Sequence, residues 1–188
     1  MTPGEGISAL DSKYNEKVKK FLELSNCSES TYSLVLTPEY SVPLSVASDF
    51  IKNSQTIKNG TLFCLCCESV KQNVFTAFIE NIKTQQDIEV WDTALSHLHE
   101  RTLVCCLLYV LKVKFFLEDD SFFVKTFVIP QFKTEPMKDP DMDFERGYLA
   151  CGERVIEFGS GEQLRFVSVI CADVFNLKLI NEIRENVA

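Results

Sequence analysis

Three side chains in this sequence could act together: a thiol, a carboxylate and an ammonium group, each placed where an apolar run stops. In Phe166-Val167-Ser168-Val169-Ile170-Cys171-Ala172-Asp173 the thiol of Cys171 ends a stretch that reads as a buried strand, and a carboxylate follows two residues later. A thiol at a strand end is held rigidly, yet it faces the rim where ligands approach. Leu34-Val35-Leu36-Thr37-Pro38-Glu39 is a short apolar strand running into a proline. Proline has no backbone N–H to offer a neighbouring strand, so pairing is expected to end there, with Glu39 just beyond. Phe127-Val128-Ile129-Pro130-Gln131-Phe132-Lys133 repeats the pattern with a lysine three residues after the proline. Each residue alone has a plainer role: Cys171 as a small core hydrophobe, Glu39 and Lys133 as solvated surface charges. Glu, Lys and Cys at three strand ends, in that order, form a much narrower coincidence.

The order Pro38-Glu39, Lys133, Ile170-Cys171-Ala172-Asp173 resembles the carbon–nitrogen hydrolase (nitrilase) superfamily. The resemblance implies an α-β-β-α sandwich carrying a Glu–Lys–Cys triad, and it covers roughly residues 12–180. It implies that Glu39 takes the proton of Cys171, whose thiolate attacks an amide or nitrile carbon, and that Lys133 stabilises the charge that develops. Many members place a second glutamate between the lysine and the cysteine. Counting forward from Lys133 favours Asp141 for that role and counting back from the turn at Gly152 favours Glu145. Glu145 is the choice taken here. The segment around both, with several acids and two prolines, reads as an exposed loop.

These residues must be positioned by an alternating α/β chain. Tyr14, Val18, Phe21, Leu22 and Leu24 fall largely along one helical stripe. A strand at 32–37 follows, then helical spacing around Val46, Ala47, Phe50 and Ile51, and Asn59-Gly60 breaks the chain before a strand at 61–67. Residues 71–100 read as mainly helical. Strands then dominate at 102–116, 121–129, 154–158 and 164–171, the last two forming a hairpin around Gly159-Ser160-Gly161. Asn176 to Val187 is expected to be a terminal helix.

The 188 residues suit one domain, and 46% hydrophobic content is ample for a core. A net charge of −8 argues against nucleic acid, and Lys17, Lys19 and Lys20, which do cluster, read as the solvated face of a helix rather than a phosphate-tracking surface. No apolar stretch is long enough for a membrane span, and residues 1–10 lack the pattern of a secretory signal. Of the 8 cysteines, Cys64, Cys66, Cys67, Cys105 and Cys106 lie in apolar runs that read as buried strands. Neighbouring strand residues point to opposite faces, so adjacent cysteines are poorly placed as disulfide partners. Reduced thiols and a cytoplasmic location are expected. His97 and His99 have no cysteines at zinc-finger spacing, so neither a metal nor a cofactor is expected.

Compared with the family pattern, the chain goes almost directly into a helix and has only a short segment after Cys171. The resemblance therefore implies a partial sandwich, whose unpaired edges invite association as a homo-oligomer or within a larger assembly. Two functions follow: hydrolysis of a small amide or nitrile through a thioester, or a catalytically silent binding or assembly module with the same fold.

Overall fold

The computed structural model describes residues 12–27, 29, 32–91, 103–136, 147–152, 155–159, 166–171 and 180–181. Within them the chain is mixed α/β, built on a five-stranded sheet of order β1-β2-β6-β7-β4. The strands are β1 (Leu34–Leu36), β2 (Leu62–Cys66), β4 (Ile88–Val90), β6 (Cys106–Phe116) and β7 (Phe122–Phe132). β1 and β2 are parallel, β4 and β7 are parallel, and β6 runs antiparallel to both β2 and β7. Four strands therefore point the same way and only β6 opposes them. The carboxyl ends of β1, β2 and β7 consequently lie on one rim of the sheet.

Alternation along the strands sorts the side chains to two faces. Phe63, Leu65, Cys67, Cys106, Leu108, Val110, Val128 and Phe132 join the main core. Three helices cover that face: α1 (Ser12–Ser25), α2 (Leu44–Lys52) and α3 (Gln72–Lys83). They contribute Leu22 from α1, Ala47 and Ile51 from α2, and Phe75, Ile79 and Ile82 from α3. In α3 the apolar side chains recur three and four residues apart, which is the spacing that gives a helix one buried face. The alternate strand residues, Cys64, Leu107, Tyr109 and Ile129, form a second cluster on the opposite face with Leu149 and Ile170.

Two further pairs of short strands complete the description. β3 (Val70–Lys71) pairs with β5 (Leu103–Val104), and β8 (Glu157–Phe158) pairs with β9 (Phe166–Val167). The β8–β9 pair is the expected hairpin, shorter than its sequence pattern suggested. At Gly60 the positive φ of 76° explains why Asn59-Gly60 breaks the chain ahead of β2.

Four expectations need correction. Residues 71–100 are not helical throughout: α3 stops at Lys83, and Ile88–Val90 is a strand. The polar run Thr84-Gln85-Gln86-Asp87 makes the turn, with the N–H of Ile88 donating to the Gln85 carbonyl, and Ile88 and Val90 then join the core. The strand at 102–116 is two strands, since β5 pairs outside the main sheet while β6 crosses its centre. Pro130 does not end its strand, because β4 pairs only up to Val128 and the far side of β7 has no partner strand at Pro130 among the described residues. On α1 only Leu22 and Ser25 are buried, while Phe21 and Leu24 are exposed. Residues 1–11, all of 92–100 and most of the expected terminal helix lie outside the described residues.

Candidate active site

Lys133 follows β7 directly, and its side chain is 0% exposed. A buried ammonium group is costly unless it is paired. Its partner is Glu39, whose Oε1 lies 2.8 Å from the lysine Nζ. The ring of Tyr40 lies 5.6 Å from the same Nζ, within cation–π range. The plain reading of these two residues as solvated surface charges is therefore set aside for Lys133.

Each partner is fixed by its backbone surroundings. The N–H of Lys133 donates to the Cys105 carbonyl, and its own carbonyl accepts from the N–H of Gly152. A side chain at position 152 would place its Cβ 2.9 Å from the Cβ of Phe132, so only glycine lets this segment lie so close to the end of β7. Glu39 sits in the turn after β1. The hydroxyl of Thr37 donates to the Cys64 carbonyl and accepts from the N–H of Cys66, and the N–H of Val42 donates to the Cys66 carbonyl. Both ends of the turn are thus tied to β2. Tyr14 reaches across from α1 to donate to the Ser41 carbonyl. Beyond the turn, the carboxylate of Glu68 accepts from the N–H of Leu44 at the start of α2, where a negative charge also suits the helix dipole.

Cys171 arrives from a third segment, which runs over the second face of the sheet. Phe166 pairs with Phe158, and the Phe158 ring packs 4.8 Å from the ring of Tyr109. Two residues further on, the Ser168 carbonyl accepts from Nε2 of Gln131, which lies closer to the end of β7. The segment thus advances in the direction of β7, toward the rim that holds Lys133. Ile170 is buried in the second cluster, against which Tyr40, Cys66 and Cys151 also pack. Cys171 itself is exposed and has a φ of 43°. A left-handed backbone at a non-glycine residue costs on the order of 1–2 kcal/mol, and such strain concentrates at functional sites. Tyr40, next to Glu39, shares this conformation with a φ of 57°.

One neighbour was not singled out from the sequence. Cys66 lies on the same face, at the carboxyl end of β2. Burial, with smaller contributions from Cys67 and the negative charge of Glu39, pushes its thiol up to about 12. Cys64 is likewise raised to about 12 by burial. A thiol that resists ionisation is a poor nucleophile, so proximity to Glu39 does not make Cys66 reactive. No disulfide joins cysteines of the described residues, and Cys64, Cys105 and Cys106 are buried as expected, with Cys66 half-buried. Glu145 and Asp141, the two candidates for a second acid, lie outside the described residues, as do Ala172 and Asp173. Among the described residues no group of three or more His, Cys, Asp or Glu side chains could hold a metal ion. No helix among them is long and apolar enough to cross a membrane.

The structure thus brings Glu39 and Lys133 into contact and leads the chain toward the same rim at Cys171. A separate cavity of about 450 Å³ between α1 and α2 is lined by residues such as Lys19, Asn26, Asp49 and Phe50, and none of its lining residues is a cysteine. Compared with known proteins, the chain matches no family model, no curated protein and no solved structure.

Proposed function

We propose that the chain is a carbon–nitrogen hydrolase of the nitrilase type that cleaves small amides or nitriles through Cys171. The observation that carries the reading is the fully buried ammonium of Lys133, ion-paired with Glu39 at the rim toward which the Cys171 segment runs. A buried cation held against a carboxylate is expensive to maintain as a purely structural feature. It is useful where an oxyanion must form. The α-β-β-α sandwich belongs to the same proposal, as do a homo-oligomeric or larger assembly and a cytoplasmic location.

In this reading, with an amide as substrate, Glu39 uses its second carboxylate oxygen to take the thiol proton of Cys171 as sulfur adds to the carbonyl carbon; a nitrile would first give a thioimidate, to which one water adds to form the same tetrahedral intermediate. Lys133 donates to the oxygen that becomes negative. Collapse of the tetrahedral intermediate breaks the C–N bond, and the amine leaves with the proton held by Glu39. Water then adds to the thioester as Glu39 takes one of its protons. The second collapse expels the sulfur, which recovers a proton from Glu39, and releases a carboxylic acid. Glu145 is the residue proposed to assist as second acid.

The test is mass spectrometry of the protein after exposure to a panel of small amides and nitriles. An acyl adduct on Cys171, together with release of the carboxylic acid, is expected; Cys171→Ala should abolish both and Lys133→Met should abolish turnover. Absence of adduct and acid across the panel would favour the second reading, a silent binding module. That reading draws on the aromatic groove between Trp91, Phe115, Phe123, Phe127 and Phe158 on the second face.

A further inference from the structure

We infer that Gln131 is a positioning residue that sets the register of the Cys171 segment against the Lys133 strand. The inference rests on Cys171 being the nucleophile of the proposed reaction. Gln131 is buried, and its amide uses both of its ends. Its Oε1 accepts from the Tyr109 hydroxyl at 2.9 Å and from the N–H of Ile156 at 2.7 Å. Its Nε2 donates to the Ser168 carbonyl at 2.9 Å. Because the Tyr109 hydroxyl gives its one proton to Gln131, the Ser168 hydroxyl at 2.5 Å must be the donor to Tyr109. One amide therefore ties both limbs of the β8–β9 unit to the central sheet: the first at Ile156, the second at Ser168.

Position explains why this matters to the site. Gln131 and Lys133 are two residues apart, so their side chains leave the same face of the strand line. Ser168 is three residues before Cys171. The tie thus fixes a point on the cysteine segment close to where the lysine emerges, and the remaining lever to the thiol is short. Hydrophobic contacts alone would hold the segment on the sheet without choosing its register, since Phe158 and Phe166 can slide over apolar neighbours. A donor aimed at one carbonyl and an acceptor aimed at one N–H do choose it. Glutamine is needed because it supplies both roles in one planar group. A glutamate of the same shape can accept but has no proton to give Ser168 when ionised.

Gln131→Glu separates this role from simple packing. Three readouts decide it: amide hydrogen exchange of residues 166–171, exchange of β2 and β6 as a fold control, and the pH profile of Cys171 alkylation by iodoacetamide. Exchange at 166–171 is expected to rise while β2 and β6 stay protected. Alkylation near pH 7 is expected to fall about tenfold or more, with its pH profile moving toward that of an isolated thiol, since a displacement on the order of 1 Å costs up to about 100-fold. Tyr109→Phe, which removes one member and keeps the ring, should give the same changes at smaller size, and it serves if Gln131→Glu does not fold. Unchanged exchange at 166–171 would overturn the inference, and so would faster exchange with an unchanged alkylation profile. A wild-type thiol with no activated profile would instead contradict the catalytic reading, a result that does not involve the variants; the tie itself is then decided by the exchange.

Discussion

The two faces of the sheet are finished in opposite ways. On the helix-covered face, strand side chains such as Phe63, Leu108 and Val128 meet helix side chains such as Ile51, Phe75 and Ile79, and the packing is mostly apolar, with Thr126 and Lys112 buried beside it and the lysine ammonium donating to the Gln55 carbonyl. On the other face the described cover comprises residues near 149–151, the β8–β9 pair and the run to Ile170, and it is fastened by the hydrogen bonds of Gln131, Tyr109 and Ser168. Toward the β6–β7 hairpin no described residue covers that face. A groove of about 710 Å³ lies there between Trp91, Phe115, Phe123, Phe127 and Phe158. Lys114 sits 3.6 Å from the centre of the Phe122 ring on the other face of the hairpin, away from the groove. The comparison teaches where rigidity is bought by bulk and where by direction: one face supplies stability, and the other supplies register at the rim that holds Glu39 and Lys133.

Truncations should break the comparison most visibly. Phe75 is fully buried and packs edge-on against Phe132, the residue before Lys133. Phe75→Ala is expected to lower unfolding free energy by about 3–5 kcal/mol in denaturant titrations. Phe116, 71% exposed at the tip of the β6–β7 hairpin, should change it by no more than about 0.5 kcal/mol when replaced by Ser. A large loss at Phe116 would mean that the hairpin tip is covered in solution.

The ion pair should be asymmetric. Glu39→Ala removes the carboxylate from a fully buried ammonium, whereas Lys133→Met leaves a carboxylate that is 18% exposed and can be reached by water. Glu39→Ala should therefore cost about 3 kcal/mol and Lys133→Met clearly less. Equal losses in the same titration would show that burial of Lys133 is not what makes the pair matter.

How legible this was in the sequence depends on which physical signal each element carries. The strands leading to Glu39 and Lys133 were visible because apolar alternation is local, whereas the run read as a strand ending at Cys171 pairs only at Phe166–Val167 and has left the sheet before the thiol. The strand Ile88–Val90 was hidden, because three residues are too few for a period and its apolar side chains continue the helical stripe of α3. Pro130 misled for a different reason: a proline is tolerated wherever the neighbouring strand has already stopped, and strand ends are set by tertiary pairing. For the site, order along the chain pointed to Glu39 with Lys133, whereas Gln131 carried no signal. A glutamine between Pro130 and Phe132 reads as a surface polar residue until Tyr109, Ile156 and Ser168 are brought to it from distant parts of the chain.

The thiols sharpen the contrast at smaller scale. Cys64 and Cys66 are held near 12 against an ordinary value of 9.0. Between those values the unfolded chain loses thiol protons that the folded chain keeps. Stability should therefore be insensitive to these groups below about pH 9 and decline as pH rises toward 12. The decline should be smaller in Cys64→Ala than in the wild type, measured by denaturant unfolding across that range. An identical decline in the two proteins would assign it to other groups.

If Cys171 is the nucleophile, it differs in kind from the thiols of the sheet, and its rate of alkylation should show the difference. Peptide-resolved iodoacetamide labelling of the native protein between pH 6 and pH 9 would follow all eight cysteines at once. Cys171 is predicted to react fastest near pH 7, ahead of Cys27, which is also exposed to solvent, and its lead should shrink in Lys133→Met. Labelling of Cys171 no faster than Cys27, with a profile unaffected by Lys133→Met, would contradict that role.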